Sequence, residues 1–110
     1  MTSANERNLE TRIFYANRIR WMQALLADKQ AVERYKLVGM AIVLRINPPH
    51  LVAFPQMSTV AKDANVSKST VIRATRWLEE NGWIMVHRYG SKDGRGRKPN
   101  RYSMLTAKCQ

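Results

Sequence analysis

One side of the segment from Lys68 to Glu80 carries side chains suited to binding a polyanion. Lysine and arginine attract phosphate oxygens, and hydroxyl groups donate hydrogen bonds to the same oxygens. At about 3.6 residues per turn, five residues of the segment would share one face of a helix. These five are Lys68, Ser69, Ile72, Arg73 and Arg76. Ile72 is explained either as an isolated surface residue or as an apolar contact for a thymine methyl group.

The two glutamates of this segment, Glu79 and Glu80, lie at its C-terminal end. Because carboxylates repel phosphate, only the N-terminal half of the helix is suited to approach an anion. There the helix dipole and the cationic side chains act in the same direction.

A helix-turn-helix is predicted around this face. Apolar and small residues recur at helical spacing over residues 71–78, which gives the helix a side that can be buried. A shorter helix beginning at Met57 precedes it. Between the two helices, Asn65 is expected to adopt a left-handed backbone conformation, which asparagine tolerates better than most residues. Ser67 is the predicted N-cap of the second helix, and Gly82 is its predicted C-terminal stop.

Two strands joined by a basic loop are predicted after this motif. Residues 83–89 and 101–105 are rich in aromatic and branched side chains, as strands are. The intervening residues 90–100 include the glycine, proline and asparagine that are typical of a loop. Four cations stand there against the single Asp93: Lys92, Arg95, Arg97 and Lys98. The loop is either a solvated hairpin tip or the wing of a winged helix.

Residues 38–105 resemble winged helix-turn-helix proteins of two groups. The residues that carry the resemblance are Phe54-Pro55, Ala61, Val66-Ser67-Lys68-Ser69-Thr70-Val71, Leu78-Glu79-Glu80-Asn81-Gly82-Trp83-Ile84, Gly96-Arg97 and Asn100-Arg101-Tyr102. They are similar to gluconate-repressor-type bacterial regulators, and more similar to the helix-turn-helix modules of plasmid and phage replication proteins. Asn65 departs from the usual glycine, and Thr75 departs from a larger apolar residue. The resemblance implies DNA binding and does not separate a repressor from a replication initiator.

The resemblance also implies where DNA would be contacted. The second helix would start at Ser67 and would direct Lys68, Ser69, Thr70, Ile72 and Arg73 to the major groove. Arg76 would contact a phosphate. The neighbouring minor groove or backbone would be contacted from the wing by Lys92, Arg95, Arg97 and Lys98.

The first third of the chain predicts an additional helix over residues 5–27, which contain no proline or glycine. A second helix is predicted over residues 31–46, where close packing would account for Gly39. Residues 51–54 are predicted to form a short strand that pairs with the wing. The predicted fold class is therefore mainly α with a small β-hairpin wing (α+β), a winged helix-turn-helix with an extra N-terminal helix.

We expect three parts in the chain: an N-terminal helix over residues 1–28, a winged DNA-binding domain over residues 29–106 and a tail over residues 107–110. The helix has apolar residues on more than one side, so it is a candidate dimerisation element. The side chains expected to be exposed in a monomer and covered in a homodimer are Phe14, Trp21 and Leu25. A helix packed entirely on its own domain is the alternative. Both arrangements fit the four-three spacing of Tyr15, Ile19, Met22 and Leu26.

Composition supports a polyanionic partner. Lysine and arginine number 19 against eight aspartates and glutamates, which gives a formal charge of +11 over 110 residues. With 45% hydrophobic residues the chain can bury one core. A lone Cys109 excludes an internal disulfide framework. The absence of an N-terminal apolar segment or a long hydrophobic run gives the expectation of a cytoplasmic protein without a membrane partner.

We predict a non-enzymatic protein that binds double-stranded DNA and regulates transcription, as a repressor rather than an activator. His50 and His87 lack further ligands at metal-binding spacing, and the aspartates are widely separated. No phosphate-binding loop motif is present. We therefore expect no cofactor and no small-molecule ligand. The alternatives are the DNA-recognition module of a plasmid or phage replication initiator, and a structural RNA-binding protein.

Overall fold

The computed structural model describes residues 4–88 and 100–109. Four α-helices come first: α1 (Ala4–Ala27), α2 (Glu33–Val43), α3 (Met57–Ala64) and α4 (Lys68–Glu80). An antiparallel hairpin of β1 (Ile84–His87) and β2 (Arg101–Met104) follows, and then a 3-10 helix over Ala107–Cys109. This mainly helical chain with a small hairpin confirms the predicted fold class of a winged helix-turn-helix. None of the described helices is long and apolar enough to cross a membrane.

Helix α1 is an integral part of the hydrophobic core. Phe14, Trp21 and Leu25 are buried, and the last two have no exposed surface. The Trp21 indole packs edge-on against Trp83 with 5.6 Å between ring centroids, and its Nε1 donates to the Trp83 carbonyl at 2.9 Å. The expectation that these three α1 side chains are exposed in a monomer is therefore wrong. Helical spacing identifies residues that share a face, but it does not say which face meets the rest of the domain.

The contact between α1 and α2 depends on Gly39. A Cβ atom at this position would lie 2.7 Å from Leu25 Cδ2 and 3.2 Å from Trp21 Cη2. Both neighbouring side chains are fully buried, so neither has free space into which it can retreat. The close packing inferred from the sequence is confirmed.

Helix α2 is shorter than the predicted span of residues 31–46. Before it, the Asp28 carboxylate accepts hydrogen bonds from the backbone N–H groups of residues 30 and 31, at 2.7 and 3.1 Å. Val32 is still extended, with φ −63° and ψ 143°, so the helix begins only at Glu33. After Val43, the Leu44 N–H still donates to the Met40 carbonyl, but the next two N–H groups donate to the carbonyl three residues earlier, which replaces the α-helical pattern.

The predicted first strand over residues 51–54 is reduced to a single bridge. Ala53 N–H donates to the Tyr102 carbonyl at 3.0 Å, and Tyr102 N–H donates to the Ala53 carbonyl at 2.7 Å. Leu51 has a positive φ of 57°, and Pro55 lacks an N–H group. These two residues leave room for only one ladder pair. The bridge still ties the hairpin to the chain that leads into α3.

The two strands of the predicted wing are confirmed, although both are shorter than expected. The register pairs Ile84 with Met104 and Val86 with Tyr102. Ile84 and Tyr102 are buried, so one side of the hairpin packs on the helices. Trp83 precedes the strand; its carbonyl accepts the N–H of Leu105 at 3.0 Å in addition to the Trp21 indole.

Candidate nucleic-acid interface

The turn between α3 and α4 has the backbone geometry that the sequence predicts. Asn65 lies in the left-handed region, with φ 56° and ψ 49°. Its N–H donates to the Lys62 carbonyl at 3.3 Å, and the Val66 N–H donates to the Ala61 carbonyl at 2.9 Å. These are the two hydrogen bonds of a Schellman motif, which satisfies the carbonyls at a helix C-terminus. The turn therefore fixes the direction in which α4 leaves α3.

We expect Asn65→Gly to be tolerated or slightly stabilising, because glycine adopts the left-handed conformation at no steric cost. Asn65→Val should lower the free energy of unfolding by about 1–2 kcal/mol, since a branched side chain clashes in this conformation. Thermal melts of both variants beside the wild-type protein measure the difference. Equal melting temperatures for the glycine and valine variants would contradict the role assigned to this turn.

Ser67 is the N-cap of α4, as predicted. Its backbone is extended, with φ −77° and ψ 159°, and its Oγ accepts the Thr70 N–H at 3.2 Å. The same Oγ lies 2.9 Å from Thr70 Oγ1 and 3.0 Å from Ser69 Oγ. A cluster of hydroxyl groups is thus assembled at the positive end of the helix dipole.

The exposed side of α4 brings together the cationic face that the sequence indicates. Its exposed side chains are Lys68, Ser69, Ile72, Arg73 and Arg76, and Glu80 is exposed one turn later at the C-terminal end. Ile72 is 42% exposed and is the apolar member of this group. Arg73 Nη2 makes only a long contact of 3.5 Å with Thr70 Oγ1. The face can therefore offer positive charge, hydrogen-bond donors and one apolar contact to a ligand.

Thr70 does not belong to this face, which corrects the expectation that it contacts DNA. The residue is only 4% exposed, and its hydroxyl bonds to the Ser67 hydroxyl. A residue three positions after the N-cap stacks back over the start of the helix. Thr70 therefore supports the N-cap from within the domain.

The opposite side of α4 anchors the helix in the core. Val71, Ala74 and Leu78 have no exposed surface. Thr75 is also buried; its Oγ1 lies 2.9 Å from the Val71 carbonyl and 3.0 Å from the Ile72 carbonyl, so its hydroxyl donates within the helix. A threonine is thus accommodated where a larger apolar residue is usual. The inward face predicted for this helix is confirmed, and it leaves the cationic face outward.

Gly82 ends α4 as predicted. Its φ is +77°, its N–H donates to the Glu79 carbonyl at 3.2 Å, and the Trp83 N–H donates to the Leu78 carbonyl at 2.9 Å. This is a second Schellman motif, which turns the chain directly into the hairpin.

An ion pair joins α4 to the hairpin. Arg88 Nη1 and Nη2 donate to Glu79 Oε2 and Oε1 at 2.9 and 2.7 Å. The hydrogen bond from Arg88 holds the pKa of the Glu79 carboxyl below its usual range. Sequence reasoning missed this pair, because the two residues are nine positions apart and meet only after the chain reverses at Gly82.

The predicted wing contacts lie outside the described residues. They are Lys92, Arg95, Arg97 and Lys98, and their roles stay predictions. Each described end of the hairpin carries an arginine, of which Arg88 is paired with Glu79. Arg88 is exposed at the end of β1, and Arg101 is exposed at the start of β2.

Residues 45–84 match the family model of a helix-turn-helix domain. The match includes α3, the turn at Asn65 and the whole of α4. This part of the chain is therefore similar to helix-turn-helix domains, a class in which the second helix binds DNA. No curated protein and no solved structure matches the chain.

Proposed function

We propose that the protein is a sequence-specific, non-enzymatic regulator of transcription that acts by occupying double-stranded DNA. The observation that supports this function most directly is the exposed cationic face of α4 within a helix-turn-helix domain. The formal charge of +11 supports a polyanionic ligand as well. A protein without a catalytic centre regulates a promoter most simply by blocking it, which favours repression over activation.

The proposed contacts divide between base edges and phosphates. The N-terminal half of α4 would enter the major groove, where Arg73 can donate to guanine and Ile72 can contact a thymine methyl group. Lys68 and Ser69 would face the same groove. Ser67, at the start of the helix, would lie near the phosphate backbone, and Arg76 would contact a phosphate. The wing cations Lys92, Arg95, Arg97 and Lys98 would contact the neighbouring minor groove or backbone.

Selection of bound fragments from genomic DNA tests this proposal. A regulator should enrich sites that overlap promoters, and the enriched fragments should share a short sequence. Enrichment of repeats at a replication origin would instead favour the alternative of a plasmid or phage replication initiator. Competition between duplex DNA and structured RNA tests the second alternative, since a structural RNA-binding protein should prefer the RNA.

We also propose that the protein binds DNA as a homodimer through α1. With Phe14, Trp21 and Leu25 buried, the supporting surface is a different row of α1 side chains. Tyr15, Ile19 and Leu26 are exposed and Met22 is half-buried, at the four-three spacing by which two helices pack together. We define this row, Tyr15, Ile19, Met22 and Leu26, as the α1 ridge. A two-fold pair of ridges would present two α4 helices to half-sites about 34 Å apart and would require a palindromic site.

Changing Ile19 to aspartate should convert the dimer to a monomer of 12.7 kDa, because the charge would be buried between two ridges. Light scattering at micromolar concentration measures the mass. Ile13→Asp is the matched control: Ile13 is 51% exposed and Ile19 is 56% exposed, but the two lie about 120° apart around the helix. A wild-type mass of 12.7 kDa that persists as the concentration rises would rule out the dimer. Equal dissociation by both variants would place the contact elsewhere on α1.

A further inference from the structure

We propose that Glu79 and Arg88 are positioning residues that set the angle between α4 and the hairpin, and that they act on DNA binding through that angle and not through contact with phosphate. This inference rests on the proposed binding of DNA by α4 and the hairpin. It assigns a role to the one carboxylate of α4 that the structure pairs with a cation of the hairpin.

The geometry of the pair is that of a rigid connector. Two parallel hydrogen bonds of 2.9 and 2.7 Å join the planar guanidinium of Arg88 to the carboxylate of Glu79. A bidentate contact of this kind fixes the relative orientation of its two groups as well as their distance. Glu79 lies in the last turn of α4 and Arg88 directly follows β1, so the pair connects the helix to the far end of the strand.

The other hydrogen bonds that hold the hairpin do not join α4 to the far end of β1. The Schellman hydrogen bonds at Gly82 and the hydrogen bond from Leu105 N–H to the Trp83 carbonyl hold the beginning of the strand. The Ala53–Tyr102 bridge holds the hairpin opposite Val86, but it leads to the chain before α3. The Glu79–Arg88 pair adds a direct tie from α4 to the residue that follows β1, so it constrains the direction of the strand relative to this helix.

Charge supports positioning over direct contact. A free carboxylate on a helix that approaches DNA would repel phosphate, and the protein otherwise has a formal charge of +11. Pairing neutralises Glu79 and occupies both terminal nitrogens of Arg88 with protein oxygens. The cations Lys92, Arg95, Arg97 and Lys98 follow Arg88 in the sequence after three uncharged residues. We expect the orientation of the hairpin to affect how these cations approach DNA.

The two roles predict opposite effects for Glu79→Gln. If Glu79 positions the hairpin, this variant should weaken binding to a selected duplex by about twofold to fivefold, the range for an exposed ion pair. If Glu79 only repels phosphate, the variant should bind more tightly. Glu80→Gln is the matched control, because Glu80 is exposed next to Glu79 and no described ion pair involves it. This substitution removes the same charge without breaking an ion pair. It should leave binding unchanged or tighten it.

Arg88→Gln and the double variant complete the measurement. The Arg88→Gln variant should weaken binding as much as Glu79→Gln, and the double variant should be no weaker than either single variant. The dependence of binding on salt should stay that of the wild type, because no phosphate contact is lost. A salt dependence lowered by about one counterion in Arg88→Gln alone would identify a phosphate contact and overturn the proposal.

A measurement without DNA keeps this inference separate from the proposed function. Residual dipolar couplings of the free protein report the orientation of the hairpin relative to α4. We expect this orientation to change in Glu79→Gln and to be restored in the exchange variant Glu79→Arg with Arg88→Glu. An unchanged orientation in Glu79→Gln would overturn the positioning role. Failure of the wild-type protein to bind any duplex would count against the proposed function and would not affect this result.

Discussion

Replacing Trp21 with alanine should lower the free energy of unfolding by about 3–5 kcal/mol, the range observed when a fully buried large aromatic side chain is removed. Trp21 has no exposed surface and packs edge-on against Trp83. Its ring also lies against Gly39, where a Cβ atom would be 3.2 Å from Cη2. The variant would leave a cavity at the point where α1, α2 and the start of the hairpin meet. Urea denaturation followed by circular dichroism measures the loss, since the midpoint should fall with little change in slope.

The hydrogen bond of Trp21 accounts for a small part of this effect. The Trp83 carbonyl also accepts the N–H of Leu105 at 3.0 Å, so the variant does not leave that carbonyl without a partner. Gln23→Ala is the control, because Gln23 is exposed on the same helix and its loss should change stability by less than about 0.5 kcal/mol. A Trp21→Ala variant as stable as this control would show that α1 is not part of the core.

Replacing Arg73 with alanine should cost about 1–3 kcal/mol of binding free energy for the selected site and should relax the preference for one base pair. Arg73 is exposed on the N-terminal half of α4, and its one described side-chain contact is the long one to Thr70. The guanidinium is therefore available to donate two hydrogen bonds to guanine O6 and N7. Titration of the selected duplex and of duplexes substituted at each position measures both effects.

Arg76→Ala is the matched control for Arg73→Ala. Arg76 is exposed on the same helix but lies farther from its N-terminus, where a contact with phosphate is proposed. Its loss should weaken binding to selected and random duplexes alike and should lower the salt dependence by about one counterion. If Arg73→Ala also weakened every sequence equally, the assignment of Arg73 to a base edge would fail.

Local sequence signals determined most of the helix-turn-helix. Asn65 predicted the left-handed turn, Ser67 the N-cap and Gly82 the helix end, because each depends on the conformations open to one residue and its near neighbours. The cationic face of α4 could likewise be predicted from the sequence, since helical periodicity alone separates it from the buried residues. Only Thr70 was misplaced, because its hydroxyl turns back to the N-cap.

The sequence determined the ends of strands and helices less well, because the backbone on either side of each element decides where it stops. Residues 51–54 have the composition of a strand, yet only Ala53 pairs, since the backbone at Leu51 and the missing N–H of Pro55 end the ladder. Helix α2 likewise begins two residues later and ends three residues earlier than predicted, because the backbone is extended at Val32 and leaves the α-helical hydrogen-bond pattern after Leu44. A propensity is a property of a residue type, whereas a strand needs a partner at every position.

The sequence by itself determined a basic helix-turn-helix with its turn, caps and exposed cationic face, because these depend on residues within a few positions of one another. Only the tertiary structure decided which side of α1 is buried and which polar groups meet across the domain. Trp21 reaches the Trp83 carbonyl 62 positions away, and Glu79 meets Arg88 only after the chain reverses. Helical spacing leaves such partners open, because several faces of α1 are apolar and only packing selects one of them.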